Sequence, residues 1–269
     1  MADTPFAKKS LGQHWLQDAG ALEAMCAAAE VQLDDVVLEI GPGFGTLTQH
    51  LLNCEAKVIA LEFDETLIPA LKQKFSKAIT GDMLTVEQGD IRSFDFTQLP
   101  PAYKVVANIP YYLTSNLIQL LSETANPPVA AALLVQKEVA ERVAASPGAM
   151  SILSVTAQFY WQVSLGEKVS AKLFSPPPKV DSQILILQRR GDLPVAAADA
   201  KAFFRLVKAG YSQRRKTLLN SLSGGLRLDK AIVQSFCDSA QILPGRRAQT
   251  LTMDEWRTLF VAATPLLST

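Results

Sequence analysis

The chain has few of the residues that build metal sites and disulfide frameworks. Among 269 residues there are three cysteines, Cys26, Cys54 and Cys237, whose spacing fits neither a zinc site nor a disulfide pattern. The two histidines, His14 and His50, belong to no group with metal-ligand spacing. We therefore expect free thiols in a reducing compartment and no catalytic metal.

Long apolar runs are also missing. No segment approaches the roughly 20 apolar residues that a membrane-spanning helix needs. The first ten residues lack the apolar centre and the cleavage pattern of a signal peptide. A soluble cytoplasmic protein without a membrane partner is expected.

Net charge is zero overall, but the charges are unevenly distributed along the chain. Lysine plus arginine and aspartate plus glutamate both total 26. From Arg189 to the C-terminus there are 13 basic and 6 acidic residues, a net charge of +7, so the preceding residues carry −7. This asymmetry favours an acidic catalytic body followed by a basic contact module. The densest basic segment, 201–220, has no acidic residue; a solvated helix face is the alternative interpretation.

Hydrophobic residues make up 48% of the chain, enough for a sizeable core, and their pattern alternates between strands and helices. The predicted strands are 36–40, 58–61, 84–87, 103–107, 129–135 and a final hairpin-type strand at 184–187. Repeated strand–helix units predict an α/β fold with a doubly wound parallel sheet. Beyond residue 190 the periodicity is helical. We predict two domains, 1–190 and a small α-helical domain at 191–269.

A glycine-rich turn follows the first long predicted strand. The glycines Gly41, Gly43 and Gly45 have the spacing G-x-G-x-G, whereas a dinucleotide-binding turn has G-x-G-x-x-G. The shorter spacing disfavours a pyrophosphate site and resembles the first motif of class I methyltransferases. At this point a nicotinamide cofactor remains an alternative.

Polar residues end the next three predicted strands, where a parallel sheet binds its ligands. Glu62 can accept hydrogen bonds from the ribose hydroxyls of a nucleoside cofactor, whether or not that cofactor is a dinucleotide. Asp90 can accept from a cofactor adenine while Ile91 packs on the ring, although a helix cap or a solvent-facing aspartate is about as favoured. Asn108 ends the fourth strand, so these residues are expected to converge beside the glycine turn.

The segment Asn108-Ile109-Pro110-Tyr111 indicates the reaction. An adenine N6 amine is a poor nucleophile because its lone pair is delocalised into the ring, so two acceptors must hold its hydrogens. The Asn108 side-chain oxygen and the Ile109 main-chain oxygen can form that pair. Pro110 has no N–H to compete there, and Tyr111 offers a face on which the target base can stack.

These motifs together resemble the ribosomal RNA adenine dimethyltransferase family, and the resemblance covers nearly the whole chain. The N-terminal segment 9–18, the glycine turn, Glu62, Asp90 and Asn108–Tyr111 match in order and spacing. Two further motifs are specific to this family: 174–182 (FSPPPKVDS) and the basic helix of 213–220 (QRRKTLLN).

The resemblance implies a Rossmann-like class I methyltransferase domain that uses S-adenosyl-L-methionine. It also implies dimethylation of two adjacent adenosines near the 3′ end of 16S rRNA in the immature 30S subunit, with a role in ribosome biogenesis. A monomer is expected by default. Phe174 would stack on the target base opposite Tyr111. The implied cofactor-binding residues are His14, Leu16, Gly41, Gly43, Gly45, Glu62, Asp90, Ile91 and Asn108. The implied RNA-binding residues are Lys208, Arg214, Arg215 and Lys216.

Two departures and three alternatives accompany the resemblance. His14 and Trp15 stand where the family more often has asparagine and phenylalanine. Methylation of large-subunit rRNA is an alternative within the same enzyme class, disfavoured by the two family-specific motifs. A ribosome-assembly or transcription factor on the same scaffold is a second alternative, and a NAD-dependent dehydrogenase is a third.

Overall fold

The sheet that organises the chain contains seven strands, and a second sheet contains two. The structure is a computed structural model that describes residues 13–267. The strands in chain order are β1 (Trp15–Leu16), β2 (Val36–Ile40), β3 (Lys57–Glu62), β4 (Leu84–Gln88), β5 (Lys104–Asn108), β6 (Ala130–Gln136), β7 (Trp161–Val169), β8 (Phe174–Ser175) and β9 (Ser182–Arg189). The order in the large sheet is β4-β3-β2-β5-β6-β9-β7, and β1 pairs with β8.

The strand directions confirm the predicted α/β class. Strands β2 to β6 pair in parallel with their neighbours, and β9 runs antiparallel to β6. Each predicted strand is present within a residue or two of its expected bounds. Strand β7 begins at Trp161, directly after a helix that ends at Tyr160.

Eleven α-helices are found in the described part of the chain. They are α1 (Ala19–Ala28), α2 (Thr46–Asn53), α3 (Ile68–Lys74), α4 (Ser76–Thr80), α5 (Thr114–Glu123), α6 (Lys137–Val143), α7 (Ile152–Tyr160), α8 (Ala200–Tyr211), α9 (Leu218–Leu226), α10 (Lys230–Ser239) and α11 (Met253–Leu267). None of them is long and apolar enough to cross a bilayer.

Local capping explains where several elements start. The Asp18 side chain accepts from the backbone N–H of Ala21 at 2.9 Å and begins α1. Asp64 accepts from Thr66 N at 3.1 Å and caps the 3₁₀ turn that leads into α3. Each cap satisfies a backbone donor that the first helical turn leaves unpaired.

The core on one face of the large sheet follows the two-residue period of its strands. Val58 and Ala60 of β3 belong to one buried cluster, together with Leu84 and Val86 of β4. The same cluster contains residues of α1 and α2, so these helices cover this face. Strand β6, which lies between β5 and β9 in the large sheet, is buried almost throughout.

The chain forms two compact units. One contains the described residues up to Ala140 and the segment Gln162–Arg189, and it holds the large sheet. The other contains Glu141–Trp161 and the described residues from Arg190 onward, and it is helical. The helical unit therefore includes α7, which precedes residue 190. The functional division at residue 190 stays a prediction.

The helical unit is packed around aromatic side chains. The Phe159 ring lies 5.0 Å from Phe203 and 4.9 Å from Phe204, measured between centroids, and Phe203 lies 5.8 Å from Phe260. These distances are those of ordinary aromatic packing. Helices α7, α8 and α11 are held together by this cluster.

Helices α8 and α9 approach each other closely at Gly225. Alanine substitutions at Gly225 and at the neighbouring Gly224 are therefore expected to change the stability of the protein differently. A Cβ added to Gly225 would lie 2.7 Å from the Cα of Ala209, whereas one added to Gly224 meets nothing nearer than 3.5 Å. Gly225→Ala is expected to reduce the free energy of unfolding by about 1–3 kcal/mol through overpacking. Gly224→Ala, the matched control, should be neutral or stabilising by about 0.5–1 kcal/mol. Urea unfolding of both variants measures the contrast, and equal effects would contradict it.

Candidate active site

A cleft lies at the carboxyl ends of β2, β3, β4 and β5, within the sheet-containing unit. Its empty volume, including the part open to solvent, is about 1170 Å³. Its walls come mainly from residues 13–16, 39–43, 61–63, 89–92 and 108–113. Most of the predicted site residues line it, namely His14, Leu16, Gly41, Gly43, Glu62, Asp90, Ile91, Asn108, Ile109, Pro110 and Tyr111. The strand ends therefore converge as the sequence predicted, and the individual roles stay predictions.

The glycine turn connects β2 to α2 with three residues in the left-handed region. Gly41, Gly43 and Gly45 have φ values of 72°, 57° and 72°. A Cβ on Gly41 would meet nothing within 4 Å, so bare backbone faces the open cleft there. A Cβ on Gly45 would lie 2.3 Å from Phe75 Cε2. Gly45 does not line the cleft; its place in the structure is explained by packing against Phe75.

Glu62 joins the end of β3 to this turn. Its Oε2 accepts from the backbone N–H of Gly43 at 3.0 Å, and its Oε1 accepts from that of Asp64 at 2.8 Å. Burial raises the pKa of this carboxyl, and the backbone donors oppose the shift. Each oxygen keeps a second lone pair that can accept from a ligand hydroxyl.

Glu39 is a buried cleft residue that the sequence analysis did not select. It has no exposed surface; its Oε2 accepts from Thr48 Oγ1 at 2.6 Å, and its Oε1 has no hydrogen-bond partner among the described residues. Burial raises its pKa to about 8. An acidic residue inside the apolar strand β2, directly before the glycine turn, is the signal that could have identified it.

The Asp90 carboxylate forms a salt bridge with Arg92, which was not among the predicted site residues. Its Oδ1 accepts from the backbone N–H of Arg92 at 2.9 Å, and both carboxylate oxygens accept from the Arg92 guanidinium, at distances down to 2.5 Å. These hydrogen bonds lower the pKa of Asp90. Asp90 also caps the 3₁₀ turn that contains Ile91. It therefore acts as a helix cap and lines the cleft at the same time.

Asn108 is oriented by the N-terminal segment. Its Nδ2 donates to the main-chain oxygen of His14 at 3.2 Å. Pro110 precedes the 3₁₀ turn Tyr111–Leu113, which leads into α5. The Tyr111 hydroxyl is hydrogen-bonded to Ser182 Oγ at 2.8 Å. Ser182, the last residue of the family-specific motif 174–182, thus contacts a residue that lines the cleft.

The N-terminal segment is held against the cleft by β1. Leu16 pairs with Phe174 and Trp15 with Ser175 in the small antiparallel sheet. The Thr46 hydroxyl donates to the main-chain oxygen of Leu16 at 3.1 Å. Residues 9–12 of the predicted N-terminal motif lie outside the described residues.

Phe174 is not brought to the cleft surface. Its side chain is 5% exposed and belongs to the hydrophobic cluster that contains Leu16 and Ile184. It is not among the residues that line the cleft. The contact of Phe174 with the target base stays a prediction, and the burial of the side chain in this cluster does not support it.

The predicted RNA-binding residues lie in the helical unit, but not all of them on a helix. Lys208 is exposed on α8. Arg214, Arg215 and Lys216 are exposed on the turn between α8 and α9, so the prediction of a basic helix at this motif is wrong. The turn is closed by a hydrogen bond from Lys216 N to Gln213 O at 2.9 Å. The turn therefore presents three exposed cations that are consecutive in the chain.

Metal-binding clusters are absent from the part of the chain that the structure describes. Within residues 13–267, no group of three or more histidine, cysteine, aspartate or glutamate side chains could hold a metal ion.

Glu39 should make the stability of the protein depend on pH. Its pKa of about 8 in the folded state exceeds the ordinary value of 4.5, so the folded state holds a proton that the unfolded state has released. Stability then falls as pH rises through this window, by up to about 1.4 kcal/mol per pH unit. Glu39→Gln cannot titrate and should lose this contribution. Denaturant unfolding at several pH values measures it, with the exposed Glu123→Gln as control; parallel curves for Glu39→Gln and the wild type would contradict the expectation.

The chain matches known proteins over nearly its whole length. The family model described as ribosomal RNA adenine dimethylase matches residues 6–264. A ribosomal RNA small subunit methyltransferase A of Dehalococcoides mccartyi is 40% identical over 258 residues, which cover 94% of this chain and 87% of the relative.

Two solved structures have a similar fold. A dimethyladenosine transferase from Plasmodium falciparum has a TM-score of 0.78 at 27% identity and covers 94% of this chain and 98% of its own. The 23S rRNA methyltransferase ErmE has a TM-score of 0.76 at 28% identity and covers 92% of this chain and 98% of its own. The predicted class I methyltransferase architecture is confirmed, and the chain belongs to the ribosomal RNA adenine dimethylase family.

Proposed function

We propose that the protein uses S-adenosyl-L-methionine to dimethylate the N6 amino groups of two adjacent adenosines in the 3′-terminal hairpin loop of 16S rRNA. The substrate is the immature 30S subunit, and the enzyme acts as a cytoplasmic monomer in small-subunit biogenesis. The family match and the 40% identity to a small-subunit methyltransferase support this reaction and this class of RNA.

The hydrogen bond between Asn108 and His14 is the observation that carries the proposal. The main-chain oxygen of His14 can only accept, so the group of Asn108 that faces it must be the amide nitrogen. The Asn108 Oδ1 is consequently directed away from His14. Since Asn108 lines the cleft, Oδ1 is available to accept a hydrogen from an amine bound there.

A second acceptor for the amine follows directly in the chain. The main-chain oxygen of Ile109 can take the other hydrogen of an adenine N6 amine, and Pro110 offers no N–H that would compete. With both hydrogens held, the nitrogen becomes pyramidal and its lone pair becomes available for attack. Asn108 and Ile109 thus position the nucleophile.

The residues of the cleft fit the methyl donor. Gly41 leaves open space at its Cα, where a ligand can approach the backbone. Glu62 can accept from ribose hydroxyls, and the buried Ile91 provides an apolar wall for an adenine ring. Glu39 also lines the cleft, and its buried Oε1 has no hydrogen-bond partner among the described residues. Asp90 can receive the adenine amino group if Arg92 shares or releases one carboxylate oxygen.

The main contribution of the protein to the reaction is to position the amine and the methyl donor. S-adenosyl-L-methionine, when bound, supplies a methyl group on a positively charged sulfur, which needs no further activation. Holding the amine in line with that methyl group can lower the barrier by several kcal/mol. The displaced proton leaves to solvent, and we assign no general base.

The target base must leave its stack to reach the cleft. Stacking on the Tyr111 ring offsets part of that cost, at about 1–3 kcal/mol per base. The exposed cations Lys208, Arg214, Arg215 and Lys216 contact RNA phosphates, which hold the substrate without reading its sequence.

Methylation of large-subunit rRNA remains the strongest competing function. The similarity to ErmE shows that the fold does not separate the two substrates. The 174–182 motif and the higher identity to small-subunit methyltransferases favour 16S rRNA. Primer-extension mapping of modified adenosines in both rRNAs distinguishes them. A solely structural role in ribosome assembly is disfavoured by the intact Asn108–Tyr111 segment.

Replacing Asn108 tests the proposed role in methyl transfer. Asn108→Ala removes one amine acceptor, so we expect the methylation rate on immature small subunits to fall by about 100-fold or more, or about 2.7 kcal/mol of barrier. Binding of S-adenosyl-L-methionine, measured by titration calorimetry, should persist. Asn53→Ala, at an exposed position on α2, is the matched control. Wild-type rates in Asn108→Ala would remove Asn108 from the mechanism.

The basic turn makes a separate prediction about salt. The double variant Arg214→Ala/Arg215→Ala should weaken RNA binding and reduce the slope of log K against log salt by about 0.7–0.9 for each phosphate that is no longer neutralised. Filter binding between about 50 and 200 mM salt gives the slope. Lys230→Ala/Arg257→Ala removes the same charge from exposed positions elsewhere in the helical unit. An equal change in both double variants would show a general charge effect instead of a contact at this turn.

A further inference from the structure

The glycine turn is contacted by a lysine that lies outside the cleft. Lys74, the last residue of α3, donates from its Nζ to the main-chain oxygens of Phe44 at 2.8 Å and Gly45 at 3.4 Å. Lys74 is not among the residues that line the cleft. Any effect of these hydrogen bonds on a bound ligand must therefore pass through the turn.

One peptide plane of the turn is held on both sides. The main-chain oxygen of Phe44 and the N–H of Gly45 belong to the same planar unit. The oxygen accepts from Lys74, and the N–H donates to the main-chain oxygen of Pro42 at 2.8 Å. Such a restraint matters here because glycine has more conformational freedom than any other residue. Without the lysine contact, this plane is held on one side only.

The end of α3 is itself packed against the turn. A Cβ added to Gly45 would lie 2.3 Å from Phe75 Cε2, so the Phe75 ring fills the space beside that glycine. The Lys74 ammonium lies 4.9 Å from the centroid of the same ring, within the range of a cation–π interaction. Phe75 is buried. The ammonium is therefore held beside the turn, although Lys74 as a whole is exposed.

Two contacts connect this peptide to the wall of the cleft. The Phe44 ring lies 4.4 Å from the ring of Trp15, measured between centroids, and Trp15 lines the cleft. Gly43, the residue before Phe44, also lines the cleft and donates its N–H to Glu62 at 3.0 Å. The turn is thus held by Glu62 from within the cleft wall and by Lys74 from outside it.

We propose that Lys74 is a positioning residue for S-adenosyl-L-methionine. Its hydrogen bonds to the carbonyls of Phe44 and Gly45 keep the glycine turn in the conformation that receives the methyl donor. This inference rests on the proposed function. Because Lys74 acts through the turn, it affects the affinity for the methyl donor and leaves the affinity for RNA unchanged.

Substitutions of Lys74 test this role. Lys74→Met and the shorter Lys74→Gln should raise the Kd for S-adenosyl-L-methionine about five- to tenfold, less than a fully buried charged hydrogen bond would give. Lys74→Arg keeps the charge and the donors and should stay within about threefold of the wild type. Lys72→Met makes the same change at an exposed position of α3 and is the matched control. Titration calorimetry on the full chain gives each Kd, and thermal unfolding checks that each variant is folded.

Kinetics separate a positioning role from a general loss of structure. In Lys74→Met the KM for S-adenosyl-L-methionine should rise with the Kd. The KM for the RNA, and kcat at saturating methyl donor, should stay at the wild-type values. A destabilised protein would instead lose active enzyme and therefore kcat.

Trp15 reports the conformation of the turn directly. The chain has three tryptophans, and the other two, Trp161 and Trp256, are fully buried. In protein labelled with 5-fluorotryptophan, Trp15→Phe identifies the Trp15 signal by fluorine NMR. Lys74→Met should shift or broaden that signal and leave the other two unchanged, whereas Lys72→Met should leave all three unchanged.

The possible failures of this inference and of the proposed function are distinct. Unchanged affinity for S-adenosyl-L-methionine in Lys74→Met and Lys74→Gln, equal losses in Lys74→Met and Lys72→Met, or an unchanged Trp15 signal in Lys74→Met would overturn the role of Lys74. A wild type that binds S-adenosyl-L-methionine but methylates no 16S rRNA would refute the proposed function alone.

Discussion

The parallel pairing of β2 with its two neighbours is the constraint on which the site depends. Ile40 lies opposite Leu61 of β3, and Glu39 lies opposite Val106 of β5. This register places the residues that follow each strand at one edge of the sheet. Glu62 then joins the end of β3 to the glycine turn, because its side chain accepts from the backbone N–H of Gly43. A one-residue slip would turn these side chains to the opposite face.

Much of the fold was predictable because its signals are local. Short apolar runs ended by glycine or a polar residue marked the parallel strands, and the antiparallel β9 followed the proline run. The convergence of Glu62, Asp90 and Asn108 followed from topology, because parallel strands all end at the same edge. None of these predictions required knowledge of a side-chain conformation.

The unpredicted features depend on contacts that sequence spacing does not encode. The salt bridge between Arg92 and Asp90 arises from the 3₁₀ turn, a conformation that the apolar pattern does not indicate. The basic motif was assigned to a helix from the family resemblance, yet the chain turns there. Burial of Phe174 follows from the pairing of β1 with β8, two strands of two residues each, which are too short to have a pattern.

The interleaved composition of the two units has a consequence for how this protein can be divided. Neither unit is a continuous stretch of chain, since α7 lies in the middle of the segments that build the sheet. A protein cut after residue 190 would keep Phe159 but lose its partners Phe203 and Phe204, and would expose an aromatic surface. The helical unit is therefore not an appendage that can be grafted onto, or removed from, another methyltransferase by a single splice; a working exchange needs both of its segments.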